Sequence, residues 1–532
     1  HPIIDEELLK ERYEEIDLII KENKIEENRD ILRNIQDIEK NFRKLVTNQL
    51  KPNELANLEL SFKNIYKLLI KYNNKFCITT QIIDKFTEFI DYYKKVFNLE
   101  KMKKCIDESE SFFNKNIYKD IDNIDIEIKN INKIFKKIEG IFENEKCKVN
   151  LINMDKEGYS IKLTEKAWEN IKDEDRMIIL FKESECKVEC HISSFYVIKK
   201  QSNYVKLKSS GINILEEKLE KNEEIYKKII KEKYIESCEY IISNYYDLLM
   251  IICDIVSEID VSVSGAILNK YHKYSKPTIV NDKSDESYIL SKELRHPIIE
   301  VINDEEEYVP NDISIGKDNK CMLLFGLNSS GKSSLLRSIG CNIILAQSGL
   351  YVACKSLTYS PYTRLISKIG NSDDLYSGQS TFITEMYELK NILENSDNKS
   401  MVLCDELTSG TETNSSIGIV CSTILKLLEN KCSFLFTTHL HEILEFEEIN
   451  KNKNLCIKHF KIKMEDGKIG FDRVLRDGSG DTNYGIEIAN YLDLSSDFIK
   501  VCHNFRNRFI GKNLNILENK RSRYNSKVIV DS

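Results

Sequence analysis

Residues 326–334 read Gly-Leu-Asn-Ser-Ser-Gly-Lys-Ser-Ser and lie between the apolar run Cys321–Phe325 and a helix-like stretch that continues from Leu335. They fit G-x-x-x-x-G-K-[ST], a turn whose backbone N–H groups and following helix N-terminus converge on one point and hold a phosphate there. In such a loop Gly326 and Gly331 allow the backbone to approach closely, and Leu327, Asn328, Ser329, Ser330 and Ser334 complete the cradle. Lys332 is spaced to reach the β- and γ-phosphates of a nucleotide, and the Ser333 hydroxyl to ligate Mg²⁺.

Further downstream "MVLCDELTSGTE" supplies the other half of that chemistry. Residues 401–404 predict a buried strand ending in Asp405 and Glu406. An aspartate at such a tip serves Mg²⁺, and the adjoining carboxylate can polarise an attacking water. "SFLFTTHLHEI" is another apolar strand, and it ends in His439, where an imidazole can sense a γ-phosphate through water. A lone histidine is also a common structural residue, and His441 is the more ordinary of the two. In "DDLYSGQSTFITEMYELKNIL", residues 373–393, Ser380 and Thr381 precede a helical pattern. These residues fit a capped helix with no further role as well as a helix start that faces an anion.

The elements that must carry these residues change texture along the chain. From about residue 288 short apolar strands alternate with helices and glycine turns, the pattern of a parallel α/β sheet. Residues 1–150 instead space apolar side chains by three and four (Leu8, Leu9, Ile16, Ile19, Ile20; Ile31, Ile35, Ile38, Phe42, Leu45), which predicts a helical bundle. At "KPNELANLEL" a new helix begins, with Pro52 suited to its first turn and Asn53 able to cap. Residues 151–211 are short, alternating and β-branched ("YSIKL", "MIILF", "CKVECHI", "FYVIKK", "YVKLKSS"), so strands are expected. From 212 towards 285 a helical pattern with alternating surface charges returns, so that two helical stretches flank a small β unit like a lever with a tip.

Composition bounds the rest. With 41% hydrophobic and 31% charged residues but only 19 Gly and 6 Pro, long helices are expected in a chain of 532 residues, divided into roughly three or four units. A net charge of −8 excludes a uniformly basic DNA coat, so any nucleic-acid contact must come from a local patch. No apolar run approaches ~18 residues, so no membrane is expected as a partner. The chain opens at His1 on an amphipathic pattern and not on a secretory signal, which reads as a start inside a domain. Fifteen scattered cysteines read as buried thiols of an intracellular reducing compartment: cytoplasm, nucleus, viral factory or organelle matrix. Cys186, Cys190 and His191 stand close together, but no second ligand pair accompanies them to make a zinc site.

Taken in order, "GLNSSGKSS", "DDLYSGQSTFITEM", "CDELTSGTET" and "FLFTTHLHEI" resemble the ATPase domain of the MutS family of DNA mismatch-repair proteins. "RHPIIE" with "YVPNDISI" resembles the flank before that domain and "GDTNYGIEIANYLDL" the flank after it. More loosely, "HPIIDEELLKERYEEIDLI", "LRNIQDIEK" and "EIDVSVSGAIL" are similar to the family's helical core and lever ends. The resemblance implies a multidomain α and α/β chain. Its helical core (1–150), β clamp (151–211) and lever helices (212–285) are followed by a P-loop, ABC-type ATPase domain with a mostly parallel sheet (286–510) and a tail (511–532).

By the same resemblance ATP and Mg²⁺ are the cofactors, and the site is completed across a homodimer or a heterodimer with another MutS-like subunit. Asn328 would contact the γ-phosphate, Tyr308 would stack on adenine, Glu406 would be the base, His439 would position water, and Ser380 with Thr381 would reach the neighbour's nucleotide. Double-stranded DNA would be gripped by the clamp, whose most basic stretch holds Lys199, Lys200, Lys206 and Lys208. Those four equally fit an ordinary strand edge protected by lysines. A downstream repair factor of the MutL type is a further implied partner.

Ser329-Ser330 and Thr408-Ser409 stand where the family commonly has Met-Gly and Gly-Arg, sparing every phosphate and metal ligand, and "SGTET" resembles the branch of giant viruses and coral mitochondria. The family's mismatch-reading N-terminal domain is not expected in a chain that opens within the core, nor a nuclease in its tail. The alternatives are therefore a mismatch-binding sliding clamp shortened at both ends, a scaffold for branched or recombining DNA, or another ABC-type DNA ATPase.

Overall fold

The computed structural model describes the chain except residues 1, 106–109, 144–149, 155–157, 174–176, 184–185, 202, 281–285, 303–306, 318–320, 328–329, 371–380, 409–411, 466–467, 481–485, 487–488, 490–493 and 509–532. It gives the backbone alone at 139–143, 150–154, 158, 177–183, 186–190, 201, 381, 462–465 and 468–469. Two compact units result, one made of residues 26–260 and the other of residues 1–25 with 261–532. The first helix, α1 (Glu6–Glu22), thus groups with the α/β segment and not with the helices that follow it. Its amphipathic pattern alone does not say what it packs on. The Tyr13 hydroxyl donates to the carbonyl of Ala346 at 2.6 Å, and Ile16 fills the space over Gly265, where any Cβ would clash.

In the unit of residues 26–260 the three-and-four spacing forms helices as expected. Phe62, on the helix Glu59–Lys71, meets Phe86, Phe89 and Tyr93 of the helix Thr80–Val96 edge-on, with ring centroids 5.1 to 6.3 Å apart. Pro52 takes the first turn of Pro52–Asn57 as expected, but Asn53 lies within that turn and does not cap it. Lys51 holds the cap position, and its N–H donates to the Glu54 carboxylate at 3.0 Å. The helical pattern after Gly211 is one continuous helix, α2 (Ser210–His272), of 63 residues.

Residues 150–208 form a four-stranded antiparallel sheet in the order Asn150–Met154, Gly158–Thr164, Tyr204–Lys208, Tyr196–Gln201, with a separate hairpin of Met177–Glu183 and Cys186–His191. A helix, Glu165–Ile171, sits among these strands and was not expected from their alternation. Its Trp168 joins Ile161, Leu207, Ile212 and Phe135 in one apolar core.

The second unit is built on a six-stranded sheet. Its strands are β1 (Cys321–Phe325), β2 (Arg364–Lys368), β3 (Ser400–Asp405), β4 (Ser433–Thr438), β5 (Leu455–Glu465) and β6 (Lys468–Asp477), in the order β2-β3-β4-β1-β5-β6. All neighbours are parallel except β5 and β6. Alternate residues of the buried strands enter opposite layers. Met322, Leu324 and Leu403 pack with the helix α3 (Lys332–Gln347), while Leu323, Phe325 and Val402 pack with α4 (Thr381–Asn395) and α5 (Thr413–Glu429). Cover on both faces is why these strands read as unbroken apolar runs. A second sheet, in the order Thr278–Ile279, Ser356–Tyr359, Ile289–Leu294, Asn311–Ile315, was not anticipated from the sequence.

Candidate active site

Parallel register brings the functional residues to one edge. Phe325 pairs with Thr438, Asp405 with Thr437, and Lys368 with Cys404, so the carboxyl ends of β1 to β4 stop side by side. In a parallel α/β sheet this edge is where ligands bind. β1 leads through Gly326 and Leu327 to Gly331, which caps α3 at φ 109°, a conformation that favours glycine. The start of α3 then presents Lys332 and Ser333.

Lys332 is only 4% exposed, and its Nζ donates to the carbonyl of Gly326 at 2.6 Å and lies 3.7 Å from Glu406 Oε1. Burial holds its pKa below the ordinary lysine value, against the opposing pull of Glu406 and Asp405. The Ser333 hydroxyl donates to one oxygen of Asp405, and the Thr437 hydroxyl donates to the other. Both carboxylate oxygens are thereby fixed beside the phosphate loop. A hydroxyl and a carboxylate are the hard oxygen donors that Mg²⁺ takes, so this pair fits the metal the motif implies. Ser330 Oγ is buried and makes no hydrogen bond among the described residues.

Glu406 follows the strand with φ 52°, a left-handed conformation uncommon for a residue with a side chain. Its N–H donates to Thr437 Oγ1 at 3.2 Å, and its Oε1 stands 3.6 Å from His439 Nδ1. The contact with His439 holds the Glu406 carboxyl below the ordinary carboxylate value, helped by Lys332 and opposed by burial. Glu406 in turn raises the pKa of His439, while burial lowers it. His441 behaves as the structural histidine. It packs its ring at 4.8 Å from that of Phe325, and burial lowers its pKa.

A cavity of about 490 Å³ opens over the loop, lined among others by Tyr308, Asn311, Lys332, Glu406, Phe460 and Arg473. Tyr308 stands on its wall, with its hydroxyl 2.9 Å from that of Ser338. Gly326, Leu327, Gly331, Lys332, Ser333, Ser334, Asp405 and Glu406 thus come together with Tyr308, and His439 borders the cluster through Glu406. Asn328, Ser329 and Ser380 lie outside the described residues, as does the side chain of Thr381, which begins α4.

Sequence reasoning missed Thr437, Lys368, Phe460 and Arg473. Thr437 and Lys368 sit at the ends of apolar strands, where a polar residue is the only available signal. Phe460 and Arg473 come from β5 and β6, and no motif marks them.

Of the lysines expected to meet DNA, Lys199 and Lys200 are exposed, and Lys200 pairs with Glu165 at 2.6 Å. Lys206 is buried although it lies on the face opposite the core residues Val205 and Leu207, and Lys208, on that same face, is drawn to Glu216 at 3.0 Å. The exposed lysines among the four are therefore the first two, in a stretch that also holds the exposed Tyr196 and Tyr204, with Lys162 4.8 Å over the Tyr204 ring. No cluster of metal-ligating residues occurs among the described residues, and the side chains of Cys186 and Cys190 lie outside them. No described helix is long and apolar enough to cross a membrane.

A phosphate loop on a mostly parallel sheet, with an acidic strand end beside it, defines the class: a P-loop protein with an ABC-type nucleotide-binding domain. Residues 322–509 match the family model MutS domain V. A mutS homolog of Acanthamoeba polyphaga mimivirus is 33% identical over 98% of this chain and 52% of its own length. A mitochondrial DNA mismatch repair mutS homolog of Sarcophyton glaucum is 32% identical over 64% of this chain and 35% of its own. The DNA mismatch repair protein MutS of Clostridium kluyveri is 29% identical over 94% and 55%. The chain belongs to the MutS family as a divergent member, and it spans about half the length, or less, of these relatives.

Proposed function

We propose that this chain is an ATP-hydrolysing, DNA-binding protein of mismatch repair, working as a dimeric clamp that nucleotide exchange opens and closes. One observation carries the reading: Lys332, Ser333, Asp405, Glu406 and His439 converge at one sheet edge in a MutS-family chain. Lys332 would bind the β- and γ-phosphates with Asn328 and the loop N–H groups, and Tyr308 would stack on the adenine. Ser333 and Asp405 would hold Mg²⁺, which neutralises charge on the phosphate oxygens when bound. Glu406, kept ionised by His439 and Lys332, orients water for in-line attack and accepts its proton. His439, 3.6 Å from the Glu406 carboxylate, would pair with it when protonated and keep it aimed. Ser380 and Thr381 would complete the neighbouring subunit's site.

DNA would run along the small β unit, with Lys199 and Lys200 contacting phosphates without reading bases. Lys206 and Lys208 would need to leave their present partners to join them. A homodimer or a MutS-like heterodimer, and a downstream factor of the MutL type, complete the assembly.

The test is Glu406→Ala. ATP binding persists while turnover is lost, and normal turnover in this variant overturns the assignment. Affinities for mismatched, matched and four-way-junction DNA at one stated salt concentration decide the DNA half of the reading. Preference for the mismatch supports repair, whereas preference for the junction replaces it with a scaffold for branched DNA.

A further inference from the structure

Among the described charges near the sheet edge, Lys368 has no place in the chemistry above. It ends β2 and is 6% exposed. Its Nζ donates to the carbonyl of Glu406 at 2.9 Å and to that of Leu407 at 3.0 Å. On its other side stands the carboxylate of Glu385 at 3.6 Å, equally buried, on the inner face of α4. A buried ion pair is costly to desolvate, by several kcal/mol per ion, and apolar residues of like volume often serve stability as well or better. Stability alone therefore gives little account of this one.

What the pair touches is more telling. Glu406 holds its left-handed backbone because both of its peptide groups are gripped: Thr437 accepts from its N–H, and Lys368 donates to its C=O. Glu385 lies one helical turn from Thr381, the start of α4. The inner face of α4 carries Glu385, Leu389 and Ile392, while Ile383 and Tyr387 are exposed on the outer face.

We propose that Lys368 is the positioning residue for Glu406, and that its pairing with Glu385 makes the aim of the carboxylate depend on how α4 is seated. This rests on the ATPase reading above, in which the start of α4 faces a neighbouring subunit's nucleotide. A shift of α4 carries Glu385 with it, Lys368 follows, and the grip on the Glu406 carbonyl changes. Occupancy of one site thereby sets the readiness of the other, with no residue of α4 touching the water or the phosphate of its own site.

Turnover and ATP affinity of the 532-residue chain separate positioning from folding. Lys368→Met lowers kcat at least about tenfold with KM changed less than about threefold, since displacing a reacting group by on the order of 1 Å costs up to about a hundredfold. Lys368→Arg restores most of the rate. The double variant Lys368→Met/Glu385→Leu removes both buried charges and unfolds at the wild-type temperature or above, yet stays as slow as Lys368→Met. A double variant that is folded and turns over at the wild-type rate overturns the inference alone. A wild-type chain that binds ATP and does not hydrolyse it overturns the ATPase reading, and the inference falls with it.

Discussion

Two buried clusters hold this molecule's units together by opposite means. Around Phe62, rings meet edge-on in a core with no described charge among Phe62, Phe86, Phe89 and Tyr93. At the carboxyl edge of the six-stranded sheet, Lys332 stands 3.7 Å from Glu406 and Lys368 3.6 Å from Glu385, the two lysines and Glu385 buried, with Asp405 and the partly exposed Glu406 beside the open cavity. The first cluster gains from every group being alike and dry. The second is tolerable only because each charge has a partner, and it keeps those charges poised for a ligand that brings more. Stability and chemistry have thus been sorted into different places, and changes in one should leave the other intact.

The sharpest way to break that contrast is Lys332→Ala. It should abolish ATP binding in a titration with a fluorescent ATP analogue while leaving the thermal unfolding of the helical unit unchanged. Phe62→Ala should do the reverse. Loss of a buried aromatic side chain costs about 3–5 kcal/mol, read by denaturant unfolding, and ATP affinity in the folded fraction stays at the wild-type level. If Phe62→Ala weakens ATP binding at full folding, the separation is wrong.

Smaller effects sharpen the comparison at exposed positions. Lys199→Ala with Lys200→Ala should lower the slope of log affinity against log salt for duplex DNA by about 1.8, at about 0.9 per phosphate contact, without altering ATP turnover in the absence of DNA. The smallest effect concerns His439. Its pKa is raised by Glu406, so its attraction is fully present below its ordinary 6.5 and fades as pH rises through the higher folded value. The lowered Glu406 contributes above its ordinary 4.5 and loses that contribution as pH falls through its folded value. Since His439 is 59% exposed, His439→Ala should cost under about 1 kcal/mol near pH 5.5 to 6 and almost nothing near pH 9, in unfolding curves taken at both.

How far each region could be read from the sequence follows the same division. Period-three-and-four spacing specifies a helix wherever one face is apolar, so α2 was legible as one helix, and unbroken apolar runs marked β1, β3 and β4. The local spacing of Gly331, Lys332 and Ser333 made the loop legible too. What the sequence hid is what long-range register creates. Thr437 beside Asp405, and Lys368 under the carbonyl of Glu406, arise only when separate strands stop at one edge. The docking of α1 on the α/β unit was hidden for a similar reason, because an amphipathic stripe names no partner. Lys206 and Lys208 looked like surface charge in a basic stretch, yet on their shared strand face one is covered and Glu216 captured the other.

The left-handed backbone of Glu406 has a consequence for how this chain tolerates change. A side chain at φ 52° is held against a conformational cost on the order of 1 kcal/mol that glycine does not carry. Glu406→Gly should therefore melt above Glu406→Ala, since both lose the carboxylate beside Lys332 and hydrolyse nothing but only the glycine is relieved of that backbone cost. At this one position the side chain that the proposed chemistry calls for is not the one the backbone favours, and the glutamate records which requirement prevailed.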